Sequence, residues 1–356
     1  MSVLLPPPCQ RGAIRGAGRL LAVILFTTAV IDASTSQEAF ASDTSTATVP
    51  APKVFVRQMS ELKVAATISI GKVADWVAVT SQGVWVGSKK PNSVKQVDPN
   101  TNQVTSVELP GNPCAGLAAD SQSLWVPLCG RVPKLAKVDL KTRVLVQTFN
   151  VGPAAPEGGI AVGAGSIWLI TDKHGSLVRI DPNTGSILQT VHVPPGSYNP
   201  IFSDGRIWIT RAEGSEATSV DATTGKVLEH FSTGLHPRFL TAGGGAVWTV
   251  SQGDGSLSRI DVAGQRPVLT LQLHTPGVGG DITYADGRIW TTLMKTPLTI
   301  VDAARSVVLC QWKGAGGDAI GVGYGTIWLT NYSAGTVSRI ALSDLPEDCR
   351  AVNSDK

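Results

Sequence analysis

Charge is scarce in this chain of 356 residues: only 16% are Asp, Glu, Lys or Arg, against about 25% in an average globular protein. The 30 basic and 27 acidic side chains leave a formal net charge of +3. That surplus is too small for a nucleic-acid or anionic-membrane surface. The chain is nevertheless 42% hydrophobic, which excludes disorder, where low hydrophobicity accompanies high net charge. Histidine occurs five times. The HExxH, GxSxG and CxxC patterns of zinc hydrolases, serine hydrolases and thiol redox centres do not occur. No close Cys or His pair offers a zinc site, and no helical period of 3.6 interrupts the chain. The longest apolar run, Leu20 to Ile31, is well short of the ~20 residues that span a bilayer.

That run follows Arg11, Arg15 and Arg19 and precedes Ala39-Phe40-Ala41. A basic stretch, a short apolar stretch and small residues at alternating positions read as a secretory leader over residues 1–41. Ile31-Asp32-Ala33 is the rival cleavage point, and no cysteine sits at either, which argues against a lipoprotein. Residues 42–61, rich in Ser, Thr, Ala and Pro, read as a flexible linker. The mature protein is expected in the periplasm or secreted, without a membrane span.

What is abundant is tryptophan, nine in all, and seven of them keep step. Trp85, Trp125, Trp168, Trp208, Trp248, Trp290 and Trp328 recur at spacings of 38 to 43 residues. Most follow a Gly-x-aliphatic-Trp pattern, as in Gly165-Ser166-Ile167-Trp168. An aliphatic residue and aspartate come later in each unit: Val97-Asp98, Val138-Asp139, Ile180-Asp181, Val220-Asp221, Ile260-Asp261 and Val301-Asp302. Between these markers lie short alternating apolar segments bounded by Gly, Pro and Asn, which are strand and turn signals. Four strands per unit, repeated seven times, predict an all-β, seven-bladed β-propeller of four-stranded antiparallel blades. The last unit lacks a fourth strand after Ile340, while residues 62–70 form an orphan strand ahead of the first unit. The N-terminal strand therefore completes the last blade, removing an open sheet edge. One propeller over residues 62–349 and a tail over 350–356 result. The tryptophans read as packing between blades. The aspartates read as acceptors for the amides of their own turns, and Gly321-Val322-Gly323-Tyr324-Gly325 as a hairpin rather than a phosphate loop.

Once Cys9 leaves with the leader, four cysteines remain. In an exported protein Cys114 is expected to bridge to Cys129, paired symmetrically across one hairpin of the second blade, and Cys310 to Cys349, pinning the C-terminus.

In a propeller the loops leading into first strands ring the central channel. Here they bring Asp75 and Trp76, Cys114, Glu157, Tyr198 and Asn199, His236, Arg238 and Phe239, Asp281, and Asp318. The loops after second strands, on the same face, add Lys89, Lys90, Lys173, His174, Arg211, Glu213, Gln252, Lys295, Asn331 and Tyr332. His192, His230 and His274 fall beside outer strands. Asp75, Trp76, Glu157, Tyr198, His236, Arg238, Asp281 and Asp318 are the ligand-binding candidates. A carboxylate cluster in a concave, aromatic-walled mouth containing Trp76 and Arg238 suits a cation, a polyol or an amine. The plainer reading, that these loops are polar because they are solvated, stays open. No catalytic residue and no metal ligand is assigned, no resident cofactor is expected, and the mature chain is expected as a monomer.

The repeat, exemplified by GAGSIWLITDKHGSLVRIDPNTGSILQTVHV from Gly163 to Val193, resembles the streptogramin (virginiamycin B) lyase-like propellers. The wider YVTN-type propellers are similar. The resemblance spans about residues 62–342 and all seven repeats. It implies the propeller fold and, in members that are lyases, elimination from a macrocyclic lactone with Mg²⁺ and a His/Glu set on the central face. Those repeats carry glutamate three residues after the tryptophan. The matching positions here are Ser88, Leu128, Thr171, Arg211, Ser251, Leu293 and Asn331, so that glutamate set is not carried over. Three functions follow: a non-catalytic propeller binding a small ligand or partner protein at its central face, a lyase or lactonase using a divalent ion among Glu157, Asp281, Asp318 and His236, or an envelope scaffold.

Overall fold

A computed structural model describes residues 54–263, 268–293 and 295–350. The proposed leader, its cleavage points, residues 42–53 of the linker and residues 351–356 of the tail lie outside them.

Alternating apolar residues and regular Gly-containing turns produce seven sheets, one per repeat, most of four strands in sequence order. Blade one is typical: Val73–Thr80, Gly83–Lys89, Ser93–Val97 and Val104–Glu108 pair successively as antiparallel neighbours. In the seventh blade Ala66–Ser69 pairs antiparallel with Thr336–Ala341, with Ile68 opposite Val337. The N-terminal strand thus closes the ring as expected.

All seven repeat tryptophans are fully buried on the second strands. Each lies in a cluster that joins neighbouring blades; Trp168, for example, packs with Ile207, Ile209 and Val220 of blade four. The opposite residue on the third strand is often basic. Arg179, Arg259 and Arg339 stand against Trp168, Trp248 and Trp328 with guanidinium carbons 5.7–5.8 Å from the ring centroids. The guanidinium groups thus stand over the indoles in a cation–π arrangement. The turn aspartates behave as their position implies. Asp98, Asp139, Asp181 and Asp221 each accept the amide hydrogens two and three residues onward, at 2.6–3.0 Å. These bonds hold all four carboxyls below the usual aspartate range.

Three details differ from the sequence reading. First, the segment read as a linker up to residue 61 ends in structure: Phe55–Gln58 adds parallel to the outer strand Val307–Lys313 of blade six, and Met59–Glu61 forms a 3₁₀ turn. The strand is held by its ladder and by Arg57, which donates two hydrogen bonds to the Asp348 carboxylate at 2.8 and 3.0 Å. Second, the inner strand of blade two is split into Asn112–Pro113 and Ala118–Ala119, both pairing with Ser123–Cys129. Cys129 faces Asn112 in the ladder, so Cys114 bridges to it from the loop between the two pieces, not from a symmetric cross-strand position. Third, Glu347–Arg350, at the boundary between the expected propeller and its tail, is a helical turn, placing Cys349 against Cys310 in the second disulfide. Both bonds match those expected, and both suit a protein that matures in an oxidising compartment. No helix among the described residues is long and apolar enough to cross a membrane.

Candidate functional site

The channel mouth is built where first strands begin. Non-glycine residues there adopt left-handed backbone: Trp76 (φ 56°), Glu157 (φ 66°), Asn199 (φ 51°) and His236 (φ 54°). Such conformations cost free energy and gather where side chains must be aimed. At Trp76 a bulge falls between the pairing of Asp75 with Gly87 and that of Val77 with Val86, leaving Trp76 outside the ladder. Blades six and seven use glycine instead. Gly280 (φ 95°) and Gly317 (φ 76°) pass so close to the Thr292 carbonyl and to Pro297 that a Cβ would collide with them.

Trp76 sits below the opening rather than on its wall. It is 6% exposed and meets Phe239 of blade five edge-to-face at 5.8 Å. Blades one and five are not neighbours, so this contact crosses the channel. Leu117 and Ile282 pack into the same cluster. Trp76 therefore forms an apolar floor, a correction to its expected place in an open aromatic wall.

Above it lies a cleft of about 1070 Å³, lined by Glu157, Arg238, Phe239, Gln252, Lys295, Asp318, Asn331 and Tyr332 and by the glycine-rich segments 278–280 and 314–317. Three of the eight candidates, Glu157, Arg238 and Asp318, line this cleft. Tyr198 is reached indirectly, since the Arg238 guanidinium lies over its ring at 4.3 Å. His236 stands beside Gly253 of its own blade and does not line the cleft.

Asp75 and Asp281 lie deeper. Asp75, 3% exposed, accepts from Lys89 Nζ at 3.1 Å, and Lys89 also donates to the Tyr332 hydroxyl at 3.2 Å. Burial raises Asp75 to about 6 although Lys89 opposes it, and the Asp318 charge adds to the rise. Burial works against the charge of Lys89, yet Asp75 and the two hydrogen bonds hold it above the ordinary lysine value. Asp281 accepts the amides of Ile282 at 2.8 Å and Ile320 at 3.3 Å, joining blades six and seven. Burial lifts it to about 7 against those two bonds, with Asp318 and Asp75 adding. Glu157 also rises to about 7, through burial and then the charges of Asp75 and Asp318. Burial raises Asp318 too, against an amide bond from Gly280 at 3.3 Å and the charge of Lys89. The four carboxyls thus converge close enough to resist one another's ionisation.

They do not form a ready cage for a divalent ion. Among the described residues, the one set of three metal-type donors within 4.8 Å of one another is Cys310, Asp348 and Cys349, and both sulfurs are committed to the disulfide.

Sequence reasoning had no hold on the walls made by Val278, Gly279 and Gly280 and by Gly314 to Gly317. Their one signal is a glycine pair ahead of a first strand, Gly279-Gly280 and Gly316-Gly317, and blade three shares it at Gly158-Gly159.

The sequence matches no protein-family model and no curated protein. Solved structures do match. The crystal structure of BamB from Moraxella catarrhalis superposes with a TM-score of 0.56 at 14% identity, covering 80% of this chain and 95% of that one. The computationally designed Ika8 protein gives 0.58 at 12% identity, covering 82% of this chain and all of its own length (100%). These likenesses concern the propeller fold alone.

Proposed function

We propose that this chain is a binding propeller that engages a small amine-bearing or polyhydroxylated ligand at the mouth of its central channel. The observation that carries the reading is the cleft itself: a concave site holding two carboxyls, with two more beneath them, over an apolar floor. A cationic amine would restore the ionisation that the carboxyls resist when alone, so the desolvation cost already met in folding becomes selectivity for positive charge. Hydroxyl groups would suit the same carboxyls in their protonated form, together with Gln252 and Asn331. The floor made by Trp76 and Phe239 limits the ligand to the upper part of the channel.

The test is calorimetric titration of the full chain with linear diamines, amino sugars and polyols, repeated with Glu157→Gln and Asp318→Asn. Binding of one class, weakened by both substitutions, supports the reading. Binding indifferent to both would overturn it.

A second reading has one observation in its favour. Glu157, raised to about 7 and facing the cleft, has the proton affinity of a general base working at neutral pH. That is compatible with a lyase or lactonase of the streptogramin lyase-like kind. The residues do not fit the divalent ion that such an activity implies, because the carboxyls are not gathered within ligand reach and the post-tryptophan glutamates are replaced. No reaction step is derived through it.

A further inference from the structure

We infer that the mouth selects a small zwitterion, its ammonium held by Glu157 and Asp318 and its carboxylate by Arg238 and Lys295, as a short peptide with free termini would present. The inference rests on the binding reading above and adds the anionic half of the ligand.

Both signs of charge line one cleft without cancelling. Glu157, Asp318, Arg238 and Lys295 all face it, yet none of the four takes part in an ion pair among the described residues. Elsewhere in this chain opposite charges close up readily, as Arg57 with Asp348 at 2.8 Å and Arg305 with Asp302 at 2.9 Å. At the mouth they are held apart by the frame that carries them. The Arg238 guanidinium lies over the Tyr198 ring, 4.3 Å from its centroid, and its N–H groups suit a planar, bidentate acceptor such as a carboxylate. Lys295 stands exposed in left-handed backbone (φ 73°) on the loop after blade six's second strand.

The ligand's charge follows from the balance. A pure cation would leave Arg238 and Lys295 facing it. A dianion such as a phosphate monoester would meet Glu157 and Asp318 as like charges. A molecule with one charge of each sign satisfies both pairs. The surfaces between them are apolar or uncharged: Phe239, Val278 (63% exposed), the Tyr332 ring and the glycine backbone of 314–317. They suit a short body with small side chains.

The experiment titrates the full chain with three pools: dipeptides with free termini, the same dipeptides acetylated at the N-terminus, and the same amidated at the C-terminus. The free pool is expected to bind, and each cap to weaken binding at least about tenfold, the scale of losing one charge-assisted contact. Lys295→Gln, on an exposed side chain and so harmless to folding, should weaken the free pool several-fold and leave the amidated pool unchanged. Arg238→Gln should do the same more strongly. Equal binding of the free and amidated pools would overturn the inference while the amine reading of the mouth survives. Equal binding of the free and acetylated pools would overturn it too, and would point to an anion site. Failure of every pool would also overturn it, with the amine and polyol titrations then deciding the broader reading separately.

Discussion

Glu157→Gln is expected to stabilise the protein at alkaline pH and to leave it unchanged in acid. The side chain faces the cleft and its carboxyl rises from 4.5 to about 7, through burial and the neighbouring Asp75 and Asp318 charges. A carboxyl with a raised pKa binds its proton more tightly in the folded chain than in the unfolded one. Its contribution is therefore most favourable below the unfolded value and is lost as pH rises through the folded one. Each tenfold change in proton affinity is worth ~1.4 kcal/mol, which bounds the penalty above pH 7 at about 3.5 kcal/mol. Solvent reaching a side chain at the cleft surface reduces that to roughly 1–2 kcal/mol. Glutamine keeps the shape and removes the charge. Urea unfolding at pH 3.5 and pH 8, with both disulfides intact, reads the difference directly. The expected result is coincident midpoints at pH 3.5, below the unfolded value of 4.5, and a higher midpoint for the variant at pH 8. Equal midpoints at pH 8, or a less stable variant there, would refute the reasoning that these carboxyls are held against their own ionisation.

Other consequences are equally accessible. Asp181→Ala removes the acceptor of two turn amides. Because that carboxyl's folded pKa is depressed, its contribution is present above the ordinary value of about 3.9 and lost as pH falls through the lower folded one; wild type and variant should thus differ in stability at neutral pH and converge in strong acid. Trp248→Ala, at a fully buried site between blades, should cost about 3–5 kcal/mol in denaturant unfolding. The two disulfides close segments of 15 and 39 residues, so chain entropy predicts losses of ~3 and ~4 kcal/mol on Cys→Ser replacement of the respective pairs. Removing the Cys310–Cys349 bond should also speed hydrogen exchange in Phe55–Gln58, whose Arg57 is held by the neighbouring Asp348.

The ring was legible because each blade repeats the same solution. Trp168 and its six counterparts must be buried between sheets, and Asp181 and its counterparts must satisfy a tight turn, so both recur at the repeat length. Ring closure was legible for a related reason: a missing fourth strand and an orphan strand are complementary errors in the count. Phe55–Gln58 escaped because four residues in parallel pairing need no turn beside them, and their partner lies more than 250 residues away. The split strand of blade two escaped because Pro113 and the disulfide loop, not hydrophobic alternation, decide its register.

The mouth was legible only as a list of loops. Lys89 meets Asp75 within the first hairpin of blade one, two positions off register. Trp76 instead crosses the ring to Phe239, and Asp281 reaches the Ile320 amide of the next blade. His236 shares the loops but not the cleft. The contacts between blades do not follow from local spacing, since the strands of different blades set those distances. The glycine-rich walls, where only Val278 and Ala315 bear side chains, have little to announce them.

The most direct test of the central claim, that the channel mouth is the binding surface, is crystallographic mapping with small organic probes. Crystals of the mature protein would be soaked separately in an alkylamine, a polyol and an amino acid. Ordered amine and amino-acid density is expected between Glu157, Asp318, Arg238 and Tyr332, above Trp76, retained at decreasing probe concentration. Probes gathering instead along the exposed aliphatic residues of the outer strands, such as Val146 and Leu188, with the mouth holding only water, would contradict it.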